Sequence, residues 1–224
     1  TKVFVAGDGM EKFFPKDKIF ISGNPVRTSI AQSTVTRNEG LIFFGLDTSK
    51  KTVLVVGGSL GARSINEAVA NGLSSLVENN IQLIWQTGKT TAQEFKAKAN
   101  GVNGVWCNDF ITQMEMAYAA ADVVISRAGA MAVTELCVTE KPSVFVPFPF
   151  AAEDHQTANA RHLVDKNAAL MIKDSEAKEK LVATVIDLVK SEQQQQKLKN
   201  NIALLAIKNA DEVIATEIIK SISK

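Results

Sequence analysis

Six short apolar runs punctuate the chain, at 52–56, 81–85, 104–107, 123–125, 143–147 and 168–172. Stretches with helical spacing follow the first five, at 63–76, 91–99, 112–120, 131–138 and 154–165. Strands separated by a helix's length of chain can pair in parallel, and both faces of such a sheet are then covered by helices. The pattern predicts an α/β fold, a Rossmann-like parallel sheet with helices on both faces. From residue 175 to the end it predicts two or three helices, with the glutamine run at 193–196 on a solvated face. Upstream, 3–6 and 18–22 read as strands joined by a loop with Gly7, Gly9 and Pro15, too little for a domain. Gly23-Asn24-Pro25 marks a boundary: Asn24 is expected to cap a helix over 26–34 and Pro25 to sit in its first turn.

The most informative stretch is 122–135. Val123-Val124-Ile125 is a buried strand, Ser126 and Arg127 end it, and Ala128-Gly129-Ala130 form a tight turn into a helix starting at Met131. Such a turn aims the helix's free N–H groups at the space above the strand end, where a phosphate is favoured. Glu135 lies one turn past Met131, so both can face one ligand. Its carboxylate can accept hydrogen bonds from two adjacent hydroxyls, as in a ribose. Taken alone, the stretch is equally an ordinary βα unit with a solvated Glu.

Composition narrows the classes. The 224 residues are 46% apolar and 22% charged, so a sizeable core is expected and disorder is not. A net charge of +1 gives no general attraction to nucleic acid. Cys107 and Cys137 are expected to be reduced, buried thiols. No apolar stretch approaches the roughly 18 residues of a membrane span, and the longest candidate is broken by Pro147 and Pro149. The opening at 2–5 reads as a strand rather than a signal peptide, and the first residue is not Met, which suits a fragment or a processed product.

In open α/β sheets ligands sit beyond the carboxyl ends of the strands. Three loops marked by glycine or proline fall there, at 57–62, 126–130 and 147–153. Gly57-Gly58-Ser59-Leu60-Gly61 departs from the dinucleotide fingerprint, and Trp85-Gln86-Thr87, ending the next strand, lacks the acid that fingerprint needs. NAD and FAD are therefore disfavoured, while the glycines still admit a phosphate and Ser59 can donate to it. Gly88-Lys89-Thr90 imitates the end of a phosphate loop, but position 83 is Leu where that loop needs Gly. His155 and His162, the only histidines, stand seven apart on one helix with no metal-binding spacing, and Glu153-Asp154 is not a D-x-D motif, so no metal is expected. His155 is read as serving the start of its helix. Gln156 and Asn159 share a face of it and offer amides suited to sugar hydroxyls. No nucleophile with a base is set up, so the chain reads as the nucleotide-holding half of a site.

Gly23-Asn24-Pro25-Val26-Arg27, Gly57-Gly58-Ser59-Leu60-Gly61-Ala62, Ser126-Arg127-Ala128-Gly129-Ala130 with Glu135, and His155-Gln156 with Asn159-Ala160 together resemble the MurG family. These are N-acetylglucosaminyltransferases that make lipid II for peptidoglycan synthesis. The resemblance implies the C-terminal half of a GT-B glycosyltransferase. Residues 1–24 would be the remnant of an N-terminal domain and linker, 25–208 the donor-binding domain, and 209–224 a helix that packs on the absent domain. It implies UDP-N-acetylglucosamine as donor, no cofactor and no metal. Glu135 would hold the ribose, and the backbone of Ile111, after Phe110, would read the uracil. Ser59 and the turn at Gly129-Ala130-Met131 would meet the diphosphate and sugar, supported by Gly57, Gly58, Gly61 and Arg127. Gln156 would contact the sugar with Asn159 in support, and Arg27 would approach the diphosphate from the linker. Thr157 stands where the family often has a second Gln, which puts one sugar contact in doubt. The resemblance places the catalytic base and the lipid I acceptor site in the N-terminal domain. It also implies peripheral association with the cytoplasmic face of the inner membrane, mainly through that domain, with this piece soluble. A UDP-sugar epimerase and a non-catalytic nucleotide-binding module remain the alternatives.

Overall fold

The computed structural model of the chain describes residues 2–7 and 9–223. Six parallel strands make the main sheet: β3 (Lys51–Val56), β4 (Ile81–Gln86), β5 (Val105–Asn108), β6 (Val123–Ser126), β7 (Ser143–Phe145) and β8 (Leu170–Met171), in the order β5-β4-β3-β6-β7-β8. Two earlier strands, β1 (Val3–Val5) and β2 (Ile19–Ile21), pair with each other in parallel as a separate small sheet.

Unbroken apolar runs make these strands because both of their faces are buried. Val53, Val55, Leu83, Trp85, Val123 and Ile125 point into one core, closed by α3 (Arg63–Asn71), α4 (Leu73–Glu78), α5 (Ala92–Ala99) and α9 (Ala177–Lys190). Leu54, Ile84, Val124 and Phe145 point into the other. That core is closed by α1 (Thr28–Ala31), α2 (Arg37–Phe43), α6 (Met114–Ala120), α7 (Ala130–Val138) and α8 (His155–Val164). The chain then runs through α10 (Glu192–Ala203), whose Leu198 and Ile202 reach the two cores separately, and ends in α11 (Ala210–Ile222). Cys137 is buried as expected while Cys107, on edge strand β5, is only half-buried, and desolvation pushes each thiol up to about 11.

Several expected boundaries shift for physical reasons. The helix expected over 26–34 is the single turn α1, and Asn24 does not cap it. Its amide instead donates to Thr134 Oγ1 at 3.0 Å, tying the linker to α7, and Arg27 takes the N-cap position with no side-chain bond. The stretch 63–76 is two helices broken at Gly72, where a β-carbon would lie 2.6 Å from Val182 of α9. The run 143–147 forms strand only to Phe145, and 168–172 only at Leu170–Met171. No element was expected over 35–50, yet α2 forms there, fastened by a reciprocal capping box between Thr36 and Glu39.

Candidate functional site

The carboxyl ends of the strands lie level: Val56 pairs with both Gln86 and Ser126, Gln86 with Asn108, and Ser126 with Phe145. From β3 the chain winds outward through β4 and β5, then returns to β6 on the other side of β3 and winds outward again. The order reverses between β3 and β6, and loops 57–62 and 127–129 flank the crevice that such a reversal opens. Each loop leads into a helix, α3 and α7, whose N-cap residue, Ala62 or Gly129, makes no side-chain capping bond. Two sets of unspent N–H groups and two positive helix ends thus adjoin one crevice.

Loop 57–62 is held close to the loop after β4. Gly61 has φ +87°, and a β-carbon there would meet the Thr87 carbonyl oxygen at 2.2 Å, so glycine is required for both conformation and approach. Lys89 N–H donates to the Ser59 carbonyl at 3.2 Å, and Asn66 of α3 donates to the Thr87 carbonyl at 2.8 Å and to Thr91 Oγ1 at 2.9 Å. Ser59 itself stands exposed on the loop.

The 127–130 turn is held just as firmly. Arg127, mostly buried, donates to the carbonyls of Val146 and Pro147 at 2.9 and 3.0 Å and to Ser64 Oγ at 3.1 Å, and it pairs with the Asp174 carboxylate. Its guanidinium also lies 5.5 Å from the centre of the Phe148 ring. All its polar contacts are internal, which makes it a pin joining three loops. Asn159 donates to the Ala128 carbonyl at 3.0 Å. Gln156 Oε1 accepts from the N–H groups of Ala128 at 3.2 Å and Phe148 at 3.0 Å, which leaves its NH2 without a hydrogen-bond partner among the described residues. Ala130 and Met131 are exposed at the start of α7.

Beside this crevice lies a cleft of about 170 Å³ bounded by Arg27, Gln86, Phe110, Ile111, Tyr118 and Glu135. The Tyr118 hydroxyl donates to Glu135 Oε2 at 2.8 Å. Burial, then the Glu135 charge, raises the Tyr118 pKa well above its ordinary value, so it remains a donor. Arg27, expected beside a diphosphate, pairs here with Glu135 at 3.5 Å. Ile111 is buried, and its N–H donates to Gln86 Oε1 at 2.9 Å, while Phe110 is exposed beside it. The structure therefore groups Glu135, Ile111, Phe110 and Arg27 around one cleft, with the glycine loop joined to it through Gln86, whose Nε2 donates to the Gly58 carbonyl at 3.2 Å.

His155 does serve the start of its helix: its Nδ1 lies 2.7 Å from the Ala152 carbonyl oxygen, and His162 is exposed on the same helix. Sequence reasoning missed Gln86 and Tyr118. Gln86 stands at a strand tip inspected only for an acid, and Tyr118 sits in the apolar pattern of α6 with nothing to announce its partner.

Residues 52–216 match the model of the glycosyltransferase family 28 C-terminal domain. The chain belongs to glycosyltransferase family 28. A relative from Parabacteroides distasonis is 48% identical over the whole chain, which spans 61% of that relative. Its name is UDP-N-acetylglucosamine--N-acetylmuramyl-(pentapeptide) pyrophosphoryl-undecaprenol N-acetylglucosamine transferase. The crystal structure of Acinetobacter baumannii MurG superposes with a TM-score of 0.70 at 30% identity, covering 92% of this chain and 58% of that one. A UDP-N-acetylglucosamine 2-epimerase, 14% identical with a TM-score of 0.63 over 96% of this chain and 54% of its own, shares the fold alone. The family 28 domain is thus a Rossmann-like unit of the GT-B kind, and its glycine loop, turn and acidic residue adjoin the reversal point of its sheet.

Proposed function

We propose that this chain is the donor-binding part of an inverting, metal-independent enzyme. That enzyme transfers N-acetylglucosamine from UDP-N-acetylglucosamine to undecaprenyl-pyrophosphoryl-N-acetylmuramoyl-pentapeptide, converting lipid I to lipid II. The observation that carries the reading is the part-buried Tyr118–Glu135 pair, set beside two helix starts that lack side-chain caps. A carboxylate with one hydrogen-bond donor and one ion-pair partner 3.5 Å away keeps lone pairs for a ribose diol. Uracil would lie against the Phe110-Ile111 backbone, with the Ile111 carbonyl as its open acceptor. The diphosphate would face Ser59, Gly57, Gly58, Gly61 and the Gly129-Ala130-Met131 turn, with the Gln156 NH2 toward the sugar. Arg27 would leave Glu135 to neutralise phosphate once a ribose occupies the carboxylate.

Transfer breaks the bond between the sugar's anomeric carbon and the diphosphate oxygen, and negative charge gathers on the leaving UDP. The positive ends of α3 and α7 stabilise that charge as it develops. Inversion requires an acceptor hydroxyl in line with the leaving group and a base to take its proton. Both belong, in this reading, to the part of the protein that precedes this chain. Residues 1–24 and 209–224 would lie at the junction with it: Lys2 pairs with Glu217, and Gly23 closes on Ile207. No helix among the described residues is long and apolar enough to cross a membrane, and attachment to the inner membrane surface is assigned to the preceding part.

Calorimetric titration of the chain with UDP and with NADH tests the reading. UDP is expected to bind the more tightly, and tighter binding of NADH would overturn the assignment.

A further inference from the structure

We infer that Gln86 is a positioning residue that couples the base-reading segment of the cleft to its phosphate loop, so that nucleoside and diphosphate are gripped as one ligand. The inference rests on the UDP reading above and extends it to a residue outside the ligand contacts. Gln86 ends β4, the strand beside the reversal point, and only 3% of it is exposed. One planar amide makes both of its bonds. Its oxygen takes the Ile111 N–H at 2.9 Å, and its nitrogen gives to the Gly58 carbonyl at 3.2 Å.

The two partners stand 53 residues apart in sequence and would contact opposite ends of a nucleoside diphosphate. Gly58 has φ +89°, and a β-carbon there would meet nothing within 4 Å, so packing does not hold this residue of the loop. The Gln86 bond supplies a constraint that side-chain packing leaves out. A side-chain amide can accept from one backbone and donate to another at the same time. A ligand that settles one segment therefore settles the other, and the entropy of ordering both falls on one binding event.

The test compares uridine with UDP on the 224-residue chain, using calorimetry on wild type, Gln86→Leu and Gln86→Glu, with thermal melts alongside. Wild type binds UDP more tightly than uridine. In Gln86→Glu the buried carboxyl is held protonated, so it still accepts from Ile111 and donates its O–H to Gly58, and the advantage of UDP over uridine is kept. In Gln86→Leu both fall, and the advantage of UDP over uridine shrinks by about five- to tenfold, the worth of one net hydrogen bond. An unchanged UDP-to-uridine ratio in a Gln86→Leu variant that still melts cooperatively overturns the coupling and leaves the nucleotide reading standing. Failure of wild type to bind either ligand overturns both. A second readout needs no variant: uridine alone is expected to shift the backbone amide resonances of Gly58 and Ser59, and unmoved resonances would refute the inference.

Discussion

At their amino ends, β3 and β6 are tied together by a polar network. The Asp122 carboxylate accepts from Thr52 N–H at 2.8 Å and from Arg37 at 2.9 Å, and Arg37 also donates to the carbonyls of Thr48 and Lys50. Nearby, the buried Gln82 amide exchanges bonds with the Asp47 backbone in both directions and donates to Thr52 Oγ1. At their carboxyl ends the same two strands lead into helices that no side chain caps, past an exposed Ser59 and a carboxylate with a single close donor. Most polar groups at the first end are spent on one another, the buried Arg37 Nε excepted, whereas at the second the loops are pinned by Arg127, Asn159 and Gln156, and Glu135 meets only Tyr118 and the more distant Arg27. Stability and binding are thus assigned to opposite ends of shared strands, and a substitution's main effect should depend on which end it touches.

The largest effect should come at the amino end. Asp122→Ala removes the carboxylate that answers Arg37 and the start of β3, and is expected to lower folding stability by about 3 kcal/mol in urea denaturation. UDP affinity of the folded fraction should stay at the wild-type value, and a matching loss of affinity would erase the contrast between the ends. Glu135→Ala, at the carboxyl end, should do the reverse. Charge-assisted bonds to the ribose would be lost, weakening UDP binding by about 1–3 kcal/mol in calorimetry while the melting midpoint moves little. Equal affinity in this variant would remove Glu135 from the site. Ser59→Ala is smaller, about 1 kcal/mol in UDP binding, with uridine binding unaffected because in the proposed pose only the phosphates would face that hydroxyl.

A pH effect sharpens the account of the amino end. Lys141 donates to the Ala121 carbonyl at 2.9 Å, and burial lowers its pKa from 10.5 to about 8, helped by the Lys199 and Arg37 charges and opposed by Asp122 and Glu140. A base lowered on folding binds more protons unfolded than folded between those two values. Stability from this group therefore rises as pH climbs from 8 toward 10.5, and its cost is fully present below 8. The difference in unfolding free energy between wild type and Lys141→Met should be flat up to pH 8 and then tilt in favour of wild type. A flat difference up to pH 10 would show that Lys141 is not desolvated.

Much of this was legible in the sequence because it rests on local pattern. Buried strands in a parallel sheet must be apolar on both faces, so the runs around Leu54, Ile84 and Val124 declare themselves. Glu135 was legible because a strand, a small-residue turn and a helix fix its distance from the strand tip. The hidden features depend on partners far apart in sequence. Arg127 could be placed near the site, but its role as a pin needs Asp174, 47 residues on, and Ser64, 63 residues back. Asn24 had every mark of a helix cap, yet tertiary contact drew its amide to Thr134. In contrast, α2 was missed although its signal was local, since Thr36 and Glu39 spell a capping box three residues apart.

A crystal structure of this chain with UDP bound measures the central claim most directly. The account predicts both ribose hydroxyls within hydrogen-bond distance of the Glu135 carboxylate and the diphosphate between the starts of α3 and α7. UDP seated elsewhere, or its ribose turned away from Glu135, would contradict it.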